Sequence, residues 1–217
     1  HTFIQGTKEE PFPVEGGAIL VDGTALEFNT NPASTLTDFT RNINMVLNEL
    51  HERVEGNALS DHYICFDPSA TYDLDYWETL PPEAKMLGCM PDYDAYTGDQ
   101  NWPPETNEPF RTAGGHIHLG WGRDFDTQDP DHLVVCMDVI KQMDSILYPA
   151  SMLWDSDQTR RKLYGNKGSF RPRTYGVEYR PLSCAWLKEQ RTVDYVYETS
   201  MFALDQYFNK GNHLFVR

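Results

Sequence analysis

Near the C-terminal end, residues 160–187 read RRKLYGNKGSFRPRTYGVEYRPLSCAWL. In this stretch a cationic, glycine-containing run leads into a strand predicted over 175–185. Apolar residues at spacings of three and four predict helices on both sides of it, over 130–153 and 193–208. A strand between two amphipathic helices indicates a sheet that is covered by helices on at least one face.

The N-terminal half adds strands and a further helix. Residues 18–21 and 25–30 flank Asp22-Gly23, a sequence typical of a hairpin turn. Ser34 or Thr35 can cap a helix that ends at Gly56, with an apolar face formed by Phe39, Ile43, Val46, Leu47, Leu50 and Val54.

The middle of the chain gives weaker signals. Residues 112–121 alternate around Gly114-Gly115, which predicts a strand, whereas 59–108 predict irregular structure apart from a short helix near 82–87. Together these elements predict a single α+β domain over 1–217, with one curved, mainly antiparallel sheet and helices packed on one face.

Composition excludes some classes of function. The chain has 217 residues and a formal net charge of −15, which argues against a nucleic-acid partner because such proteins concentrate Lys and Arg. No apolar run approaches the roughly 20 residues that would span a bilayer, so no membrane association is expected. Four widely spaced cysteines suggest neither a disulfide framework nor a zinc site.

Three predicted strands each carry two polar residues at positions i and i+2. They are Glu27 with Asn29, His116 with His118, and Glu178 with Arg180. Side chains at this spacing point to the same face, roughly 7 Å apart. Two carboxylates and an imidazole would suit magnesium or manganese better than zinc.

Each pair also has a plainer interpretation. Glu27 alone is more often a solvated edge residue, and Glu178 with Arg180 could form an ordinary exposed strand face. The segment GGHIHLG, residues 114–120, is harder to explain in this way, because its glycines allow a close approach of the backbone to a ligand. A cupin-type metal site would need an acidic ligand a few residues later, where Gly120-Trp121-Gly122 stands instead.

The cationic run also has two interpretations. Its members are Arg160, Arg161, Lys162, Lys167, Arg171 and Arg173. They could simply balance local acidity. Beside glycines, and next to the strand that carries Glu178 and Arg180, they could equally bind a polyphosphate.

Four segments, taken in order, resemble a known family. They are DGTALEFN (22–29), GCMPDY (88–93), 111–120 and the 160–187 stretch. They are similar to phage-type carboxylate–amine ligases (type 2), which are relatives of glutamine synthetase and glutamate–cysteine ligase. The resemblance extends from about residue 6 to residue 187 and implies a glutamine synthetase-like catalytic fold.

The resemblance also implies a reaction. ATP phosphorylates a substrate carboxylate, and an amine then converts the acyl phosphate into an amide. The substrate would be a small amino-acid-like compound or a peptide. The setting would be the cytoplasm of an infected bacterium, with a homo-oligomer or association with a virion as further expectations.

Roles for individual residues follow from the resemblance as well. Glu27, His116 and Glu178 correspond to ligands of Mg²⁺, or of Mn²⁺ in its place. His118 corresponds to a histidine on the phosphate or nucleotide side, and Arg180 to the arginine that neutralises the transferred phosphoryl group. The remaining expected contacts to ATP or to the substrate carboxylate come from Arg171, Arg173, Lys167, Arg160 and Arg161.

Two departures from the family keep other functions open. Nothing ahead of Gly6 matches the family's first catalytic strand, which carries a Gly-x-Asp-Pro-Glu-like motif, so we expect that strand to be missing. Met90 stands where relatives often have Asp. The alternatives are therefore a catalytically inactive, ligase-fold binding or virion-associated protein, and a metal-dependent hydrolase or oxygenase. The last of these would leave the cationic run without a role.

Overall fold

The computed structural model describes residues 4–56, 62–85, 92–102, 108–163 and 165–215. The strands are β1 (Phe12–Val14), β2 (Gly17–Asp22), β3 (Ala25–Thr30), β4 (Ser69–Thr71), β5 (Asp92–Asp94), β6 (Gln100–Asn101), β7 (Phe110–Thr112), β8 (Ile117–Gly120), β9 (Ser169–Arg173) and β10 (Gly176–Tyr179). The α-helices are α1 (Leu36–Glu55), α2 (Leu74–Thr79), α3 (Pro82–Lys85), α4 (Pro130–Asp144), α5 (Leu147–Ser151), α6 (Gln158–Leu163) and α7 (Gln190–Leu204). A 3₁₀ turn follows at Cys184–Lys188 and a π turn at Asp205–Asn209.

The prediction of an α+β protein with antiparallel strands is confirmed. The described residues form three sheets, however, rather than the single sheet predicted. They also group into two compact units, one made of His1–Cys65 and Tyr72–Met86, the other of Phe66–Thr71 and Leu87–Arg217. That the whole chain is one domain stays a prediction.

The first unit contains a three-stranded sheet, β1-β2-β3, and helix α1. The predicted hairpin is confirmed: Asp22 pairs with Ala25, and Gly23 in the two-residue loop has a φ of 62°, which favours glycine. The predicted cap is confirmed too, because the Thr35 hydroxyl accepts a hydrogen bond from the backbone N–H of Asp38 at 3.1 Å.

Helix α1 buries the apolar face that its sequence predicts. Val46, Leu50 and Val54 join Ile19 and Ile4 in one hydrophobic cluster. Burying these side chains is the main contribution to the stability of this unit.

The second unit is organised around the hairpin of β9 and β10. Its five-stranded antiparallel sheet has the order β6-β5-β9-β10-β8, and a separate pair joins β4 to β7. Helix α4 packs on β9 and β10, and α7 packs on α4. The Tyr179 hydroxyl donates to Asp144 of α4 at 2.7 Å, so that odd-numbered positions of β10 face the helix. Even-numbered positions therefore face the opposite side of the sheet.

Several predicted boundaries were wrong, each for a local reason. The strand predicted over 112–121 is interrupted between β7 and β8, where Gly114 forms an isolated bridge with Ser183. The strand predicted over 175–185 ends at Tyr179, two residues before Pro181, which cannot donate to a ladder. The 59–108 stretch, predicted to be mostly irregular, contains several short strands and helices besides the expected α3.

Two long helices were also predicted with the wrong extent. Residues 130–153 form α4 and α5, which are separated at Ser145 and Ile146, and residues 193–208 correspond to α7 followed by a π turn. Within the described ranges, no helix combines the length and apolarity needed to cross a membrane.

Candidate functional site on the β8–β10 sheet face

A row of polar side chains crosses the central strands of the second unit. Glu178 on β10 is the Cα partner of His118 on β8 and of Arg171 on β9. Directly opposed residues of antiparallel strands point to the same side. The row therefore lies on the face of the sheet that does not pack on α4.

Glu178 is the hub of this row, and its side chain is only 2 % exposed. Its Oε2 accepts hydrogen bonds from Nε and Nη2 of Arg173, the first at 2.9 Å. Its Oε1 accepts one from Nη1 of Arg180 and lies 3.2 Å from Nδ1 of His116. One buried carboxylate is thus shared by two guanidinium groups and an imidazole.

Arg180 is fixed from a second direction. Its Nε donates to Oδ2 of Asp92 at 2.9 Å, and the other carboxylate oxygen of Asp92 accepts from Nδ2 of Asn101 at 3.0 Å. Strand β5 therefore supplies a second carboxylate to the cluster. Because both charged partners are held by the sheet, the Arg180 guanidinium is pre-oriented.

The charges of this cluster set the protonation of its members. Burial opposes ionisation of Glu178, but the hydrogen bond from His116 and the charge of Arg180 outweigh it and hold the pKa of Glu178 far below its usual range. Burial and the neighbouring Arg180 lower the pKa of His116, although Glu178 acts in the opposite sense. Glu178 is therefore a carboxylate, and His116 is neutral at neutral pH.

His116 comes just before β8 and follows Gly114-Gly115, where Gly114 bridges Ser183 and the backbone N–H of Gly115 donates to the Leu182 carbonyl at 2.9 Å. A Cβ on Gly114 would lie 2.3 Å from Nε2 of His116, and one on Gly115 would lie 2.3 Å from Nε1 of Trp186. The glycines of this segment thus make room for the His116 ring and for Trp186. The close backbone approach predicted for this segment serves the protein's own side chains.

His118 forms a hydrogen bond with a residue that was not among the predicted site residues. Its Nδ1 is hydrogen-bonded to the hydroxyl of Tyr175, which stands in the turn between β9 and β10. Burial lowers the pKa of His118 and raises that of Tyr175, which keeps both groups uncharged at neutral pH.

Arg160 and Arg161 lie inside the fold. The side chain of Arg160 is buried, and its Nη1 and Nη2 donate to the carbonyl oxygens of Pro181 and Arg180 at 2.8 and 3.1 Å. Arg161 is buried as well and donates to the Ser151 hydroxyl and to the Asp155 carbonyl. Both guanidinium groups are bonded within the fold in this arrangement, and the phosphate contact that the resemblance implies for them stays a prediction.

The other predicted cations are more accessible. The Lys167 ammonium group is exposed and lies 4.3 Å from the centre of the Tyr96 ring. Arg171 is half-buried, and burial together with Arg180 lowers its pKa. The side chain of Arg173 is 38 % exposed, whereas that of Arg180 is 8 % and that of Glu178 is 2 % exposed.

Glu27 belongs to the first unit, where its side chain is exposed on β3 opposite Leu20. Its place in a metal set with His116 and Glu178 stays a prediction. In the parts of the chain that the structure describes, no group of three or more His, Cys, Asp or Glu side chains could hold a metal ion. At Glu178, two guanidinium groups already occupy both oxygens, so the described residues around this carboxylate do not, as arranged, fit a divalent cation.

Sequence reasoning missed Asp92 and Tyr175. Asp92 lies in the quoted 88–93 segment, of which 88–91 fall outside the described residues, but its role depends on pairing between β5 and β9. Tyr175 is in the two-residue loop of the β9–β10 hairpin, just before Gly176, the first residue of β10, and a glycine at this place was a usable signal of a turn.

No protein-family model, curated protein or solved structure matches the chain. The resemblance to carboxylate–amine ligases therefore rests on the four motif segments. The residues of the polar row come from two of these segments, 111–120 and 160–187, and Asp92 comes from a third, 88–93.

Proposed function

We propose that the chain is an ATP-dependent carboxylate–amine ligase that forms an amide or peptide-like bond through an acyl phosphate. The observation that carries this proposal is the polar row on the β8–β10 face. Close to Glu178 there are three arginines, Arg171, Arg173 and Arg180, and one further carboxylate, Asp92, so that cations locally outnumber anions in a chain of net charge −15. A positively charged site is suited to binding a phosphate or a substrate carboxylate.

The chemistry needs few protein groups. An oxygen of the substrate carboxylate attacks the γ-phosphorus of ATP, and the bond to the β-phosphate oxygen breaks, so that ADP leaves with the electron pair. The amine nitrogen then attacks the acyl carbon and loses a proton, and inorganic phosphate departs. Catalysis of such transfers is mostly positioning and electrostatic stabilisation.

Arg173 and Arg180 have different parts in this proposal. Arg180 is buried and held by Glu178 and Asp92, which makes it a fixed source of positive potential. Arg173 is partly exposed and can meet an incoming oxyanion directly. Arg171 and Lys167 would hold the remaining phosphates. Arg160 supports the backbone just after β10, whereas Arg161 donates to the Ser151 hydroxyl and the Asp155 carbonyl.

The metal is the part of the resemblance with least support. Mg²⁺ or Mn²⁺, if bound, would supply Lewis-acid neutralisation of the phosphates. Since the described residues around Glu178 do not, as arranged, fit such an ion, we assign it no step. Glu27, His116 and Glu178 remain its candidate ligands on the strength of the resemblance alone.

One observation favours a second candidate, a catalytically inactive protein of ligase fold that binds oxyanions. Glu178, the central metal-ligand candidate, has both oxygens neutralised by arginines. A carboxylate engaged in this way suits binding of an anion by Arg173 better than metal-assisted turnover. A homo-oligomer, a virion and the host cytoplasm stay predictions for either candidate.

Calorimetry and turnover separate the two candidates. ATP, ADP and pyrophosphate are titrated into the full chain with and without magnesium, and ADP release is followed with a panel of amino acids. We expect ATP to bind and the affinity to fall at least tenfold in Arg173→Gln. The control Arg191→Gln removes a cation on α7 whose side chain is 82 % exposed and should leave the affinity unchanged.

Each result has a definite meaning. Release of ADP that depends on an amino acid supports the ligase. Binding of ATP without ADP release under any condition supports the inactive binding protein. If ATP fails to bind, or binds equally well to Arg173→Gln, the β8–β10 face is not the phosphate site and the proposed function is wrong.

A further inference from the structure

The turn between β9 and β10 is anchored from outside the hairpin. The carbonyl oxygens of three consecutive residues, 173–175, each accept a hydrogen bond. The donors are the ring Nε2 of His132 at 3.0 Å and the backbone N–H groups of Phe125 at 2.7 Å and Trp121 at 3.2 Å. Tyr175, the last residue of the turn, is therefore held by its backbone as well as by its side chain.

The ring of Tyr175 reaches His118 across a position that lacks a side chain. Gly120 is the Cα partner of Gly176. A Cβ on Gly120 would lie 3.3 Å from the Tyr175 carbonyl oxygen and 3.9 Å from its ring Cδ2. The Tyr175 hydroxyl is hydrogen-bonded to Nδ1 of His118, with the two rings 6.0 Å apart at 33°.

The direction of this hydrogen bond follows from the chemistry of the two groups. A phenol O–H is a better donor than a neutral imidazole N–H, and an imidazole nitrogen is a better acceptor than a phenolic oxygen. A phenol has an ordinary pKa of about 10, so the Tyr175 hydroxyl keeps its proton at neutral pH and can donate it to Nδ1 of His118. With Nδ1 accepting, the ring proton of neutral His118 must be on Nε2.

We propose that Tyr175 is a positioning residue that holds His118 as the Nε2–H tautomer and so makes it a hydrogen-bond donor to a phosphate or acyl-phosphate oxygen. The identity of the ligand rests on the proposed function above. The opposite tautomer would present a lone pair at Nε2 and would repel the same oxygen. Since His118 stands beside Glu178 and Arg173 on the sheet face, its donor would add to the contacts made by Arg173.

The test combines a spectroscopic readout with a binding measurement. Nitrogen-15 NMR of the imidazole groups distinguishes protonated from unprotonated nitrogens in the full chain, and His118→Gln identifies the His118 signals. We expect Nε2–H in the wild type and a mixture of tautomers in Tyr175→Phe. Removal of one oriented donor should weaken ATP binding roughly fivefold in Tyr175→Phe.

The control is Tyr195→Phe, the same substitution on α7, where the ring packs edge-on against Trp154. It should change neither the His118 signals nor the affinity. A wild-type spectrum showing Nδ1–H, or a His118 tautomer that is the same with and without the Tyr175 hydroxyl, would overturn the proposal whatever the chain binds.

Affinities separate this proposal from the proposed function. An altered tautomer with unchanged ATP affinity would overturn the donor role of His118 while leaving the phosphate site at Arg173 intact. A chain that binds neither ATP nor pyrophosphate would overturn the donor role and the proposed function together. Binding that is lost in Arg173→Gln and weakened in Tyr175→Phe supports both.

Discussion

Replacing Glu178 by Gln should destabilise the second unit more than any other single charge removal in the polar row. Glu178→Gln keeps the shape of the side chain, and the amide oxygen can still accept from Arg180. The amide NH₂ then faces Arg173, donor against donor, in a place where the side chain is 2 % exposed. Removing one partner of a buried ion pair typically costs 3–5 kcal/mol. Because Arg180 keeps Asp92 and Arg173 can turn toward solvent, we expect about 2–4 kcal/mol.

The assay is urea unfolding of the full chain, combined with hydrogen exchange of the peptide amides in β9 and β10 to report the second unit separately. Glu198→Gln is the matched control, since Glu198 is exposed on α7. It should change the free energy of unfolding by less than about 0.5 kcal/mol.

The pH dependence of this loss of stability tests whether the charge of Glu178 causes it. The pKa of Glu178 is lower in the folded protein than in the unfolded chain, where it is about 4.3. The ionised carboxylate therefore stabilises the fold above about pH 4.3, and this stabilisation is lost progressively as the pH falls below that value. The difference in stability between wild type and Glu178→Gln should therefore shrink in acid. A loss below about 1 kcal/mol at pH 7, or a loss that does not change with pH, would refute the reasoning.

Three further predictions follow from other parts of the second unit. Arg160→Met should cost about 2–4 kcal/mol of unfolding free energy, because it leaves the two carbonyl groups at the end of β10 without their buried donors; urea unfolding measures this, and a neutral result would contradict the structural role. Gly176→Ala should loosen the pairing of β8 and β10, since a Cβ there would lie 2.1 Å from the Leu119 carbonyl oxygen; faster amide exchange of 117–120 is the readout. His116 has a lowered pKa in the folded protein, so the unfolded state binds more protons and stability should fall as the pH drops below about 6.5; His116→Asn should remove that part of the slope between pH 7.5 and 5.

Local signals predicted the parts of the fold that depend on neighbouring residues. Gly23 in the hairpin loop, Thr35 at the start of α1 and the apolar spacing of that helix all act within a few residues, and the structure confirms each of them. By contrast, the split of the 112–121 strand depends on Gly115 packing against Trp186, far along the chain. No local pattern contains that contact.

In the candidate site, too, local patterns were predicted correctly and contacts between distant segments were not. Alternation along β10 correctly predicted that Glu178 and Arg180 face one side of the sheet. The charge of the cationic run could not distinguish Arg160, which is 1 % exposed, from Arg173, because composition carries no information on burial. The role of Asp92 requires β5 to pair with β9, a contact between segments more than seventy residues apart.

The charge network around Glu178 has a desolvation cost, which must be considered when its role is explained. Burying an Arg–Glu–Arg cluster requires desolvation of three charges, and well-packed apolar side chains often give equal or greater stability. Stability alone is therefore a weak reason for such a network. Its geometry gives a better one: Asp92 and Glu178 immobilise the guanidinium of Arg180, and Glu178 also fixes Nε and Nη2 of Arg173, whose side chain remains 38 % exposed. Positive groups fixed in advance need no reorganisation when an oxyanion arrives, which is the condition under which electrostatic stabilisation is most effective.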